Sequence, residues 1–244
     1  MLTPIEIERT ELETYFESFR ENILGINQTF VSPYGTKDIV YVDWTASGRL
    51  YRPIEEKMMN DFGPFVANTH TETTYCGTLM TTAYHKARKI IKNHVNAGAD
   101  DVFLACGTGM TGAVNKFQRI LGLKVPEGLK DIVTIDEKDR PIVFISHMEH
   151  HSNQTSWLET IAKVEVIPCD EEGKLCLENL EILLNKYKDV KVKIASITSC
   201  SNVTGIKTEF HEVAKLMHQH DGLCFVDFAC SAPYVEINMH PEDK

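Results

Sequence analysis

Asp101-Val-Phe-Leu-Ala-Cys-Gly-Thr-Gly-Met-Thr-Gly-Ala-Val-Asn115 decides how the rest of the chain is read. An apolar run from Val102 to Cys106 breaks into glycines, and a helical pattern follows at once. A strand that passes through a Gly/Thr turn into a helix builds an anion pocket. The free first-turn amides and the positive dipole end of the helix point at whatever sits there. The pattern therefore predicts a strand over 102–106, a helix over 110–122 and a phosphate cradled between them.

On both sides of this stretch, short apolar runs alternate with amphipathic ones. Downstream, strands are expected at 141–146, 163–167, 193–198 and 223–227, and helices at 152–162, 177–187 and 210–222. Residues 131–135 fit either a strand or part of an insertion. Upstream, a helix is expected over 4–24, a turn-rich stretch over 25–38, a strand at Ile39-Val-Tyr-Val-Asp43, a helix over 53–62 and a loop over 68–77. The clearest helix is 81–97, where Ala83, Ala87, Ile90, Ile91 and Val95 form one stripe and Gly98 follows as a stop. Such alternation implies an α/β three-layer sandwich with a mostly parallel sheet. Ligands in these sheets bind beyond the carboxyl ends of the strands. Those ends carry the Gly/Thr turn, His147-Met-Glu-His-His151, Ser199-Cys-Ser-Asn202 and Asp227.

The bulk composition narrows the function. Of 244 residues, 43% are hydrophobic and 25% charged, as in an ordinary soluble globular protein. A net charge of −10 argues against a nucleic-acid surface, which needs a basic stripe. No apolar run approaches the roughly 18 residues of a membrane span, and Met1–Arg20 has no apolar signal core. The seven cysteines are scattered and mostly inside apolar runs, which fits buried thiols in a reducing cytosol.

Several motifs admit more than one reading. Gly107-Thr-Gly-Met-Thr-Gly112 matches the G-x-G-x-x-G dinucleotide fingerprint, but about a hundred residues precede it and such folds usually place it on the first strand. Asp227 either caps a turn or faces a protonated ring nitrogen. His147, His150 and His151 have no companion cysteine or carboxylate cluster for zinc. His150 reads instead as a ring stacked on a planar cofactor, with His147 and His151 as surface or satisfied histidines. Asn202 is either a turn asparagine or an amide donor to a phenolate oxygen.

Five motifs in order make the chain resemble the fold-type-I pyridoxal-phosphate enzymes, in the class V aminotransferase and cysteine desulfurase group. Tyr41-Val-Asp43 with Ala46-Ser47 resembles the family's Y-L-D-x-A-A. Gly109-Met-Thr-Gly-Ala-Val-Asn115 resembles its G-T-T-E-x-x-N turn, with Gly112 in place of Glu. Glu149-His-His-Ser-Asn153, followed by Trp157, resembles E-H-H-A-N. Ser201-Asn-Val-Thr-Gly205 resembles S-N-V-x-G, and Val226-Asp-Phe-Ala229 resembles V-D-x-A-Q.

The resemblance implies a site. Gly109, Met110 and Thr111 would hold the phosphate of pyridoxal 5'-phosphate. His150 would stack on its ring and shuttle a proton, Asn202 would contact the phenolic oxygen, and Asp227 would pair with the pyridine nitrogen. Cys230 stands where a glutamine helps hold the phenolic oxygen, and a thiol is the weaker donor. The family carries its Schiff-base lysine in a Ser-x-His-Lys run beyond the aspartate, and no such run occurs here. The expectation is therefore an N-terminal arm (1–38) and an incomplete large domain (39–244), inactive alone. The intact protein would be a cytoplasmic homodimer acting on an amino acid. Two other readings stay open at this point: a nicotinamide-nucleotide oxidoreductase, and a non-catalytic subunit that binds a partner.

Overall fold

The structure is a computed structural model and describes residues 9–241. Its contacts divide the chain into two compact units, with the boundary between Gly98 and Ala99.

In the first unit, helix α1 spans Glu11–Glu21. Thr10 caps it in a reciprocal box with Glu13, which satisfies two otherwise orphaned amides. The part of the expected helix before residue 9 lies outside the described residues. Strands β1 (Thr29–Ser32) and β2 (Gly35–Asp38) form an antiparallel hairpin where only turns are expected. Its turn is Ser32-Pro33-Tyr34-Gly35, with proline at a position that suits its fixed φ and Gly35 at φ 93°. The expected strand at 39–43 is not one: Val40 and Val42 are exposed and no ladder includes them. Alternation marks a segment able to pair, but a strand exists only where a neighbour accepts its backbone. Helix α2 (Arg52–Lys57) runs into a π-helical turn, Met58–Phe62, as the proline start predicts.

Helix α3 (Tyr75–His94) starts inside the expected loop. Thr74 caps it by accepting from the Gly77 amide at 3.1 Å. Gly77 reads as a breaker, yet it belongs to the first turn. A Cβ there would meet the Thr71 carbonyl oxygen at 2.4 Å, so glycine lets the preceding loop fold against the helix.

The second unit is the α/β body. Strands β3 (Ile142–Ile145), β4 (Lys163–Val166), β5 (Lys193–Thr198) and β6 (Leu223–Asp227) form a parallel sheet in the order β4-β3-β5-β6. Helix α4 (Gly109–Ile120) precedes β3, and α5 (His151–Leu158), α6 (Leu177–Lys186) and α7 (Phe210–Gln219) connect the strands in turn. Alternate strand residues serve opposite faces. Ile142, Phe144, Ala195 and Ile197 pack with Leu180 and Leu184 of α6 and with Val213 and Met217 of α7. Val143, Ile145 and Ile194 pack with Val114 of α4 and Trp157 of α5. Both faces are thus covered, and the three-layer α/β sandwich expected from the alternation is present. Phe144, Trp157, Leu180, Leu184 and Ile194 are fully buried, and each such side chain stabilises the fold by roughly 1.5–3 kcal/mol.

The expected strand 102–106 is absent. This segment lies outside regular structure, and Val102 and Leu104 are exposed. No described ladder includes it, so its apolar character does not suffice to make a strand. Residues 131–135 are likewise not a strand. They lie between 3-10 turns at Glu127–Leu129 and Glu137–Asp139.

Candidate active site

The chain leaves β3 for β4 on one side and then returns past β3 to β5 on the other. The loops after β3 and β5 therefore diverge, which opens a crevice at the carboxyl edge of the sheet. Residues 146–150 leave β3 at this crevice, and residues 199–202 leave β5.

A half-buried carboxylate locks the two loops together. Glu149 Oε1 accepts from the Ser146 hydroxyl at 2.5 Å, the Ser146 amide at 3.3 Å and the Thr198 amide at 2.9 Å. Glu149 Oε2 accepts from Asn153 Nδ2 at 2.7 Å. Asn153 Oδ1 accepts in turn from Trp157 Nε1 and the Ser196 hydroxyl. Burial pushes the Glu149 carboxyl above its ordinary value, while these donors hold it down. The network joins β3, α5 and β5 beneath His150.

His150 is the N-cap of α5. Its Nδ1 accepts from the Ser152 amide at 3.3 Å and lies 2.9 Å from the Ser152 hydroxyl. The ring is therefore oriented, yet exposed. Asp227 ends β6 opposite Thr198, 4% exposed, with the Ala229 amide donating to its Oδ1 at 2.8 Å. Burial raises the Asp227 carboxyl, and both the Ala229 bond and the His150 ring lower it. The β3 and β6 loops thus bring His150 and Asp227 within electrostatic reach.

The N-terminus of α4 lies on the same edge. At the far end of this helix the Leu123 carbonyl accepts from Ile161, just before β4 begins. The strands are parallel, so the first turn of α4 points toward their carboxyl ends. Thr108 and Gly109 are both left-handed, at φ 65° and 60°. They turn the chain so that the amides of Gly109, Met110 and Thr111 have no intrahelical acceptor. A Cβ on Gly112 would meet the Gly107 carbonyl oxygen at 1.8 Å. The fold of this turn therefore requires glycine where the resembled motif has glutamate.

Asn202 is exposed in the turn after β5, where the Ser201 hydroxyl accepts from Val203 and Thr204. Cys230 follows Asp227 by three residues, and its thiol donates to the Cys200 carbonyl at 3.0 Å. Gly109, Met110, Thr111, His150, Asn202, Asp227 and Cys230 all sit along the carboxyl edge. Glu149 and Asn153 are the members that sequence reasoning quoted without giving a role. Their signal was a polar pair four residues apart at the start of a helix that also buries Trp157.

Fold and edge together define an α/β protein with a glycine-rich helix N-terminus and a buried aspartate at the carboxyl end of a parallel sheet. A sequence profile described as "Aminotransferase class-V" matches residues 40–242, and the chain belongs to that family. Among relatives, a "Probable cysteine desulfurase" of Halalkalibacterium halodurans is 28% identical over 205 residues, covering 82% of this chain and 47% of that protein. Another, from Pyrococcus abyssi, is 26% identical over 209 residues, covering 84% and 47%. The chain spans about half the length of the curated relatives it matches. Among solved structures, the apo cysteine desulfurase of Thermococcus onnurineus NA1 has a TM-score of 0.67 at 24% identity, with 91% of this chain and 49% of that chain covered. The NifS-like protein of Rickettsia africae has a TM-score of 0.65 at 19% identity, with 82% and 51% covered. These two likenesses establish the fold. The class V aminotransferases and cysteine desulfurases are pyridoxal-phosphate-dependent, and the nicotinamide-nucleotide and non-catalytic readings are not favoured.

Proposed function

We propose that this chain supplies the cofactor-binding part of a pyridoxal-phosphate-dependent enzyme that transforms an amino acid, of the cysteine desulfurase or aminotransferase type. The observation that carries the reading is Asp227: a buried carboxylate at a strand tip, beside an oriented imidazole and on the edge that bears a helix N-terminus. The groups suit pyridoxal phosphate. Its phosphate matches the amides of Gly109, Met110 and Thr111, which lack an intrahelical acceptor, and nothing lies within 4 Å of where a Cβ on Gly107 or Gly109 would sit. Its cationic ring nitrogen matches Asp227, whose burial disfavours an unpaired charge.

When bound, pyridoxal phosphate serves as an electron sink for the carbanion of an amino acid. Asp227 would accept the ring N–H and keep that nitrogen protonated, a charge-assisted bond worth about 1.5–3 kcal/mol. The first-turn amides of α4 fix the phosphate. His150 would stack on the ring, contributing on the order of 1 kcal/mol and setting the plane. Its Nδ1 is engaged by Ser152, so Nε2 is the atom left to take up or release a proton. Asn202 would donate to the phenolic oxygen, while the Cys230 thiol is engaged by the Cys200 carbonyl.

A homodimer is part of this proposal. Exposed Leu12, Tyr15, Phe16 and Phe19 on one helix support it, and sedimentation of the purified chain tests it. A cytosolic location is supported by free thiols at all seven cysteines. None of the described helices is long and apolar enough to cross a membrane.

The test of the cofactor reading is calorimetric titration with pyridoxal phosphate, with pyridoxal and with a nicotinamide dinucleotide. Saturable binding of pyridoxal phosphate, much weaker for pyridoxal, is expected. Binding of the dinucleotide alone, or of neither pyridoxal compound, refutes it.

A further inference from the structure

We propose that Cys200 and Cys230 are a dithiol site that closes to a reversible intrachain disulfide under mild oxidation. Cys200 leaves β5 and Cys230 lies in the turn after β6, and these strands are adjacent and parallel. Two contacts hold the turns together. The Ser199 amide donates to the Asp227 carbonyl at 2.9 Å, and the Ser199 and Ser231 hydroxyls lie 2.5 Å apart. Across this seam the Cys230 sulfur sits 3.0 Å from the Cys200 carbonyl oxygen. Thr198 and Asp227 are the last pair of the ladder, so Cys200 and Cys230 lie two and three residues beyond it on adjacent turns.

Both thiols are partly exposed, so a small oxidant reaches them. Among the described contacts, no other cysteine thiol bonds to the backbone of a second cysteine. Cys169 is exposed, and burial pushes the Cys224 thiol up to about 12. Cys230 is raised above the ordinary thiol value, chiefly by burial, then by the Cys200 and Asp227 side chains beside it.

With hydrogen peroxide the step balances. One sulfur, as thiolate, attacks a peroxide oxygen, the O–O bond breaks, and a sulfenic acid and water form. The second sulfur attacks the sulfenic sulfur and expels a second water. Two thiols lose two electrons and two protons, and one peroxide becomes two waters. A thiol reductant reverses the result through a mixed disulfide.

The consequence for ligand binding rests on the cofactor reading above. The cross-link pulls the turn that carries the Ala229 amide, which orients Asp227, and removes the Cys230 thiol from the site edge.

The experiment treats the whole chain with hydrogen peroxide, blocks residual thiols and maps non-reduced peptides by mass spectrometry. A peptide pair joining Cys200 to Cys230, lighter by two hydrogens and split by dithiothreitol, is expected. It is absent in Cys200→Ser and in Cys230→Ser. Linkage through Cys169 instead, or higher oxides on unpaired Cys200 and Cys230, overturns the proposal, and this mapping needs no variant to fold. Pyridoxal phosphate titrated into reduced and oxidised chain separates the two readings. Affinity about tenfold lower after oxidation supports both. Cross-linking in a chain that never binds pyridoxal phosphate leaves the dithiol site standing and sinks the cofactor reading.

Discussion

The Thr198 amide donates to Glu149 Oε1 at 2.9 Å, and Thr198 pairs across the ladder with Asp227. One half-buried carboxylate on the β3 loop thereby holds the end of β5, which in turn sets the position of the aspartate at the tip of β6. The histidine next to Glu149 and the carboxylate of Asp227 are placed by the same few bonds.

Replacing Glu149 with glutamine tests that arrangement. Burial raises the folded carboxyl above its ordinary value of 4.5, so the folded state holds the proton more tightly than the unfolded one. Its contribution is fully present below that value and is lost as pH rises through the folded value. Urea midpoints measured across acidic to neutral pH should show the wild-type advantage over Glu149→Gln shrinking over that window. The glutamine amide also faces the Asn153 amide, donor to donor, at a cost of about 1–3 kcal/mol. A pH-independent difference would rule out Glu149 as the titrating group.

Asp227→Asn keeps the shape of the side chain and removes its charge. Pyridoxal phosphate affinity is expected to fall by roughly 1.5–3 kcal/mol, on the order of 10- to 150-fold, by titration. Circular dichroism should show the fold retained. Undiminished affinity would mean that the ring nitrogen does not meet this residue.

Gly112→Ala places a methyl group against the Gly107 carbonyl, so the turn ahead of α4 must move. Stability should drop by about 1–3 kcal/mol. Binding of pyridoxal phosphate should fall more than binding of pyridoxal, because the phosphate end is disturbed. Equal losses for the two compounds would place the phosphate elsewhere.

Phe144→Ala empties the centre of the face shared by α6 and α7, where the ring also packs 6.1 Å from Tyr187. The expected loss is about 3–5 kcal/mol in chemical denaturation. A loss below 1 kcal/mol would mean that the cavity collapses without penalty.

Much of the α/β body was legible beforehand, because its strands are short apolar runs and its helices carry striped faces. The runs at 193–198 and 223–227 match β5 and β6 end to end. Two apolar runs, 39–43 and 102–106, gave the same signal and are not strands, since composition does not say whether a neighbour is available. Gly77 misled in the opposite sense, because a glycine needed for close packing inside a helix looks like one that ends it.

Local chemistry along the chain was enough to establish the alternation, the family and the residue types at each strand tip, since periodicity and short motifs depend only on near neighbours. The strand order, the crevice between the β3 and β5 loops, and the Glu149 network arise from contacts between residues dozens of positions apart. Hydrogen bonds of that kind form only after the sheet has assembled and excluded water from Glu149, Asn153 and Asp227.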